Sequence, residues 1–245
     1  SIRRRQRQMC IRDRPKKYKF LDFEEVASTN DVCLIELQKS DIPTAVSADS
    51  QTQGRGRNHK SWSSPRGNIS YSLGIRSSFI DPSITVKTGL IVIKALKKKF
   101  NKEVYLKWPN DLIYKNKKVG GILVESQTHN NEIIIITGIG INLKIDSSEE
   151  HWGDLGLDGI TKNIKDNFLT YLTDELLHLE KLNNINWCRD WNNSCMHIGK
   201  NVSIETRDES FIFLGIDDLG HAKLKNKNSQ VEIYNQSSLK VDDLY

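Results

Sequence analysis

Apolar and polar residues alternate from Lys17 to Val26 (KYKFLDFEEV), the two-residue period of a strand with one buried face. Directly after it, Ser28-Thr-Asn-Asp31 combines an N-cap residue with an acidic first turn, which predicts a helix running to about Lys39. Thr44 to Asp49 reads as a short strand, and Asn68 to Ile75 (NISYSLGI) alternates again. Between those two, Gln51 to Arg66 is polar, rich in Gly and Arg, and has no apolar period. Ile84, Leu90, Ile91, Ala95, Leu96 and Phe100 recur near helical spacing. The run Lys97-Lys-Lys99 suits the negative end of a helix dipole, so a helix is predicted from Ser83 to Phe100. Tyr105–Trp108, Leu112–Tyr114, Val119–Glu125 and Glu132–Asn142 read as strands, with Lys115-Asn-Lys117 as a hairpin turn. Ile164, Phe168, Leu172, Leu176 and Leu179 mark another amphipathic helix, and a short helical piece follows around Trp187–Trp191.

From about Gly199 the helical period disappears. Val202–Glu205, Phe211–Ile216, His221–Leu224 and Val231–Tyr234 are short β-type runs separated by Asp, Gly and Asn turns, which predicts a small barrel-like appendage. Runs of strands with separate helices, rather than strict alternation, favour an α+β fold.

At 245 residues the chain suits one large domain, or a large one plus a small one. Its longest apolar runs, such as Ile133–Ile136, fall far short of the ~20 residues that cross a bilayer, and no secretory pattern opens it. Four cysteines without CxxC spacing suit a reduced cytoplasm, with neither a disulfide framework nor a structural metal. The net charge of +5 is misleading: residues 1–17 hold eight of 36 basic side chains and one of 31 acidic ones. From Tyr18 onward the chain is slightly acidic. The basic tail reads either as a solvated arm or as a nucleic-acid or acidic-lipid contact. Within it, Gln8 to Arg14 resembles a translated sequencing adapter, and the natural protein is expected to begin near Pro15.

Four stretches hold candidate chemistry. In Gln51-Thr-Gln-Gly-Arg-Gly-Arg57, glycines allow close backbone approach to an anion and the arginine forks suit carboxylate or phosphate, although a plain solvated loop has the same composition. Lys107-Trp-Pro-Asn-Asp111 is either a strand-ending turn or an amide and a carboxylate presented to a metal–nucleotide complex. Lys118-Val-Gly-Gly-Ile122 offers one lysine beside a tight glycine stretch, and Gly138-Ile-Gly-Ile-Asn142 places glycines inside a strand, a sign of close approach.

In order and spacing, these pieces resemble the biotin protein ligases, of the kind lacking an N-terminal DNA-binding domain. The resemblance is carried by STN (Ser28–Asn30), QTQGRGR (Gln51–Arg57), Trp62, GNISYSL (Gly67–Leu73), KWPND (Lys107–Asp111), KVGGILVE (Lys118–Glu125) and GIGINL (Gly138–Leu143), with GKNV (Gly199–Val202) and FLGIDDLG (Phe213–Gly220) further on. It implies a class II aminoacyl-tRNA-synthetase-like catalytic domain over residues 16–195 and a small SH3-like β-barrel over 196–245, residues 1–15 being a non-native or disordered tail. It also implies a two-step reaction. Biotin's carboxylate attacks the α-phosphate of ATP, giving biotinyl-5′-AMP and pyrophosphate. A lysine of the biotin carboxyl carrier domain of acetyl-CoA carboxylase then accepts the biotinyl group.

Residue by residue, the resemblance makes Lys118, Arg57 and Arg55 catalytic. It assigns Ser28, Thr29, Asn30, Gln51, Arg55, Gly56, Arg57, Lys118 and Gly121 to biotin. Arg57, Trp62, Lys107, Asn110, Asp111, Lys118 and Asn142 go to the nucleotide, and Asp111 meets Mg²⁺ indirectly. The implied partners are biotin, ATP and the carrier domain, with no membrane and no specific DNA; the chain is expected to be a cytoplasmic monomer or weak homodimer. One departure stands out. The family loop usually runs GRGRxGR, whereas His59 and Lys60 occupy the last Gly and Arg. The rival readings are a lipoate ligase or octanoyl transferase, a ligand-sensing module without chemistry, and a nucleic-acid-binding protein.

Overall fold

The computed structural model describes residues 18–145, 152–184, 186–204, 207–235 and 239–242. They divide into two compact units, one drawn from residues 18–80, 122–145 and 156–160, the other from 81–121, 152–155 and the residues from 161 onward. The basic tail, Lys17 and Glu205 lie outside the described residues.

In the first unit, β1 (Lys19–Val26) pairs in parallel with β2 (Thr44–Gln51), and α1 (Thr29–Lys39) supplies the crossover between them. Ser28 takes the extended N-cap conformation its sequence predicts. β3 (Ile69–Ser77) runs antiparallel to β2 and to β7 (Glu132–Ile141), the latter in register from Ile69↔Ile141 to Ser77↔Ile133. The strand order is β1-β2-β3-β7, followed by the later part of β6 (Lys117–His129). Leu21, Phe23 and Val26 of β1 bury the face that the alternation marked, against Cys33 and Leu37 of α1 and Ile134 and Ile136 of β7. At about 1.5–3 kcal/mol per buried large apolar side chain, this face fixes which side of the sheet α1 covers.

The second unit is built on α2 (Ile84–Phe100), which ends at Asn101 in the left-handed conformation, as helices commonly do. β4 (Tyr105–Lys107), β5 (Asp111–Tyr114) and the first residues of β6 form an antiparallel meander. Lys115 and Asn116, both at positive φ, make the turn between β5 and β6 that the sequence predicts. α3 (Lys162–Leu176) lays Phe168 against Phe100, ring centroids 5.1 Å apart. The helix expected to reach Leu179 stops at Leu176, and a separate 3₁₀ turn, Leu179–Asn184, precedes α4 (Trp187–Asn193).

The remaining strands are β8 (Asn201–Ile204), β9 (Arg207–Ile216), β10 (Ala222–Lys225), β11 (Val231–Tyr234) and β12 (Leu239–Val241). They form one antiparallel sheet in the order β11-β10-β9-β8-β12 around Val202, Phe211, Phe213 and Leu224. Among the described residues no pairing joins β11 to β12, so the sheet is open where a barrel was expected. The α+β class stands. Among the described residues no helix is long and apolar enough to cross a membrane.

Candidate active site

Each unit gathers part of the expected site. In the first, the N-terminus of α1 meets the loop after β2. Ser28, Thr29 and Asn30 are buried although polar, and buried polar groups need partners. Gln51 Oε1 accepts from Thr29 N at 2.9 Å and from Thr29 Oγ1 at 3.1 Å, while Gln51 Nε2 donates to Ser64 Oγ at 2.8 Å. Ser72 Oγ stands 2.5 Å from Asn30 Oδ1 and 2.7 Å from Thr29 Oγ1, and Asn30 Nδ2 donates to Glu125 Oε2 at 2.6 Å. The result is a rigid polar wall of amide and hydroxyl groups, suited to a neutral polar ring that both donates and accepts hydrogen bonds.

The strand glycines act as the sequence suggests. A Cβ on Gly138 would lie 2.5 Å from Asn30 Oδ1, and one on Gly140 would lie 2.6 Å from the Trp62 indole. Both side chains therefore lie directly on the backbone of β7. Asn142 is buried just beyond that strand, and Asn68 Oδ1 fixes the following chain by accepting from Leu143 N at 2.8 Å and Lys144 N at 3.1 Å.

Arg55 is held by carboxylates. Its guanidinium forks onto Asp31 at 2.6 and 2.9 Å and reaches Glu125 Oε2 at 3.2 Å. Asp31, with Glu125 beside it, raises an already high Arg55 pKa further. The loop is folded back on itself: Trp62 N donates to Gly54 O at 2.9 Å and Gly56 N to Lys60 O at 2.7 Å. Arg57 opens a 3₁₀ turn, Arg57–His59, whose Asn58 and His59 sit at φ 54° and 58°. His59 thus stands in the left-handed region that favours glycine, at about 1 kcal/mol or more for a residue with a Cβ. The departure from the glycine pattern is a backbone cost at the loop tip.

In the second unit, β5 and β6 bring three ionic groups together. Lys118 Nζ lies 2.6 Å from Asp111 Oδ1, and Lys107 Nζ 3.8 Å from Asp111 Oδ2. The Trp152 ring covers the Lys118 ammonium at 5.3 Å. Two ammonium groups share one carboxylate in a largely buried place. Asn110 and Gly121 lie beside this cluster in the chain, and Gly121 pairs with Asp111 across the ladder. Among the described residues no group of three or more His, Cys, Asp or Glu is placed to hold a metal.

Near Lys107 stand a half-buried cysteine and a buried histidine. Cys195 Sγ is 3.2 Å from His197 Nδ1, and His197 stacks on Phe213 at 4.2 Å. Burial pushes the thiol up to about 12, so it is no thiolate nucleophile. Burial, with Lys107 and Lys200 nearby, pulls His197 down to about 3. An unfolded histidine titrates near 6.5, so below that pH the unfolded state takes up a proton the folded state refuses. Stability is expected to fall by about 2 kcal/mol from pH 6.5 to pH 5, at 1.4 kcal/mol per unit. Urea melts at both pH values check this, and His197→Gln should flatten the slope.

Sequence reasoning did not single out Asp31, Ser64, Asn68, Ser72 and Glu125. Three of them sit inside motifs already recognised, but their partners come from distant parts of the chain. The match to known proteins follows the same residues. The profile of the biotin/lipoate A/B protein ligase family matches residues 23–142, just under half of the chain. The chain is 28% identical to the bifunctional ligase/repressor BirA of Bacillus spizizenii over 241 residues, 87% of this chain and 72% of that protein. It is 27% identical to the biotin–[acetyl-CoA-carboxylase] ligase of Mycobacterium tuberculosis over 190 residues, 71% of this chain and 70% of that one. The fold matches the biotin protein ligase of Aquifex aeolicus, in complex with biotin and ATP, at a TM-score of 0.74 and 23% identity, covering 91% of this chain and 99% of the other.

Proposed function

We propose that the chain is a biotin–protein ligase that converts biotin and ATP to biotinyl-5′-AMP and pyrophosphate, then transfers the biotinyl group to a lysine of a biotin carboxyl carrier domain. The observation that carries this reading is the Lys107–Asp111–Lys118 cluster. Adenylation brings the biotin carboxylate and the α-phosphate together, two anions that repel. Preorganised ammonium groups at their junction stabilise the transition state without reorganising solvent. Lys118 takes that place, with Asp111 holding its ammonium in position and Lys107 supplying the second charge.

The polar wall of Ser28, Thr29, Asn30 and Gln51 receives the biotin ureido ring. A site built on such hydrogen bonds rejects analogues that lack the groups. Trp62, Asn110 and Asn142 face the nucleotide, and Mg²⁺ arrives with the ATP phosphates as part of the substrate. In this reading residues 16–195 are the class II synthetase-like catalytic domain and residues 196–245 an SH3-like one. The thiols of Cys33, Cys188 and Cys195 are all free, which supports a cytoplasmic setting. The chain acts as a monomer or weak homodimer without specific DNA binding, which light scattering and mobility shifts on duplex DNA measure.

Arg57 and the folded loop keep the mixed anhydride from water. Arg57→Gly should release the adenylate roughly tenfold faster, the loss of one charged hydrogen bond. Labelling of bystander proteins by the variant reads this out, and unchanged selectivity would take Arg57 out of retention. The direct test of function is biotin-dependent ATP–pyrophosphate exchange, with lipoate and octanoate in parallel. Exchange with biotin alone supports the reading. Exchange with lipoate or octanoate instead moves the chain to the lipoate ligases or octanoyl transferases, and no exchange by a folded, biotin-binding sample favours a sensor.

A further inference from the structure

Between Lys94 and Lys118 the sequence holds nine lysines, no arginine and two carboxylates, while the rest of the chain from Tyr18 onward holds 19 basic and 28 acidic residues. The fold gathers these lysines on the C-terminal end of α2 and on the β4, β5 and β6 meander. Lys97, Lys98, Lys99, Lys115 and Lys117 are exposed and Lys102 is half-buried. Among the described residues none of the six pairs with a carboxylate. Four of them lie over aromatic rings instead: Lys102 and Lys115 are 5.5 and 5.4 Å from the Tyr114 centroid, Lys98 and Lys99 are 4.5 and 4.7 Å from that of Tyr171. A surface cavity of about 440 Å³ opens among them, lined by Lys97, Tyr105, Tyr114, Lys115 and Met196.

Like charges crowded in this way repel one another, and an anionic partner relieves the repulsion. Partly exposed tyrosines beside flexible cations are also suited to a protein interface. Position adds to chemistry. In the β5–β6 ladder Tyr114 pairs with Lys117 and Ile113 with Lys118, so the candidate reaction lysine lies one residue, about 3.4 Å, beyond the hairpin end of this surface. A protein acceptor is too large to enter the site and must dock beside it, inserting only its target lysine.

We infer that this lysine–tyrosine face is the docking surface for the acceptor domain, engaging an acidic surface next to the acceptor lysine. The inference rests on the ligase reading above. The absence of arginine favours protein over nucleic acid, since phosphate recognition uses the guanidinium fork more readily than the ammonium.

The two half-reactions separate the claims, because pyrophosphate exchange needs no acceptor. With an apo biotin carboxyl carrier domain as probe, the double variant K97E/K115E should raise the carrier KM roughly tenfold or more at low salt, and less at high salt. Its exchange rate with biotin and ATP should stay within about twofold of the parent, as rim charges act on encounter rather than chemistry. In the unmodified chain, poly-L-glutamate should compete with the carrier and leave exchange untouched, a measurement that requires no variant to fold. Intact exchange with an unchanged carrier KM and no competition overturns the surface alone. An unchanged carrier KM with lost binding of a fluorescent oligothymidine assigns the face to nucleic acid and overturns the inference. Absence of exchange in the unmodified chain overturns the ligase reading and the acceptor with it.

Discussion

Lys118→Ala is expected to lower biotin-dependent pyrophosphate exchange by roughly a thousandfold, the scale of losing a preorganised charge at a developing oxyanion. The substitution takes away the ammonium 2.6 Å from Asp111 and leaves that carboxylate with Lys107 at 3.8 Å. The local charge then becomes one unit less positive, and the two reacting anions meet without the Lys118 ammonium between them. Asp111→Asn acts in the opposite sense: both lysines stay, but Lys118 loses the acceptor that orients it. Its rate should fall less than that of Lys118→Ala while its ATP affinity holds. Equal exchange rates for Lys118→Ala and the parent, in samples with matching circular dichroism, would remove Lys118 from the chemistry.

The second large effect comes from a single methyl group. Gly138→Ala would place a Cβ 2.5 Å from Asn30 Oδ1. That oxygen cannot simply swing aside, because Asn30 is held by Ser72 at 2.5 Å and by Glu125 at 2.6 Å. Displacing it by about 1 Å breaks both bonds, and misplacement on that scale costs about a hundredfold. Biotin affinity measured by calorimetry should fall by that factor with ATP affinity little changed. Gly140→Ala should show the reverse, since its Cβ would meet the Trp62 indole on the expected adenine side. Parallel losses of both ligands in both variants would mean that the glycines serve the strand rather than the two subsites.

Much of this was legible in the sequence, for identifiable reasons. β1 was readable because Leu21 and Phe23 alternate with polar neighbours on its buried face, and the Lys115–Asn116 turn because those residues tolerate the left-handed backbone that a tight hairpin requires. β9 begins at Arg207, four residues before the expected Phe211, because its polar start is held by pairing to β8 rather than by an apolar face. β6 likewise runs on to His129 through exposed polar residues. The site divides in the same way. Residue types suited to anions and amides could be picked out, but Arg55 between Asp31 and Glu125, or Ser72 against Asn30, are pairings across 24, 70 and 42 positions that no local pattern encodes.

The first unit is assembled from three separate stretches of chain. β3 ends at Ser77, yet its partner β7 begins only at Glu132, with all of α2, β4 and β5 made in between. During synthesis β1, β2 and β3 therefore emerge with an open edge, and the polar wall waits for Glu125 to arrive. Non-local pairing of this kind is slow to form and leaves strand edges exposed meanwhile. A ribosome paused before about residue 141 would carry a sheet without its last partner, prone to pairing with a neighbouring chain. The insertion that separates the two halves of the chemistry also sets the order of birth: ligand-binding competence comes late, all at once, and after the lysine-rich face has already been made.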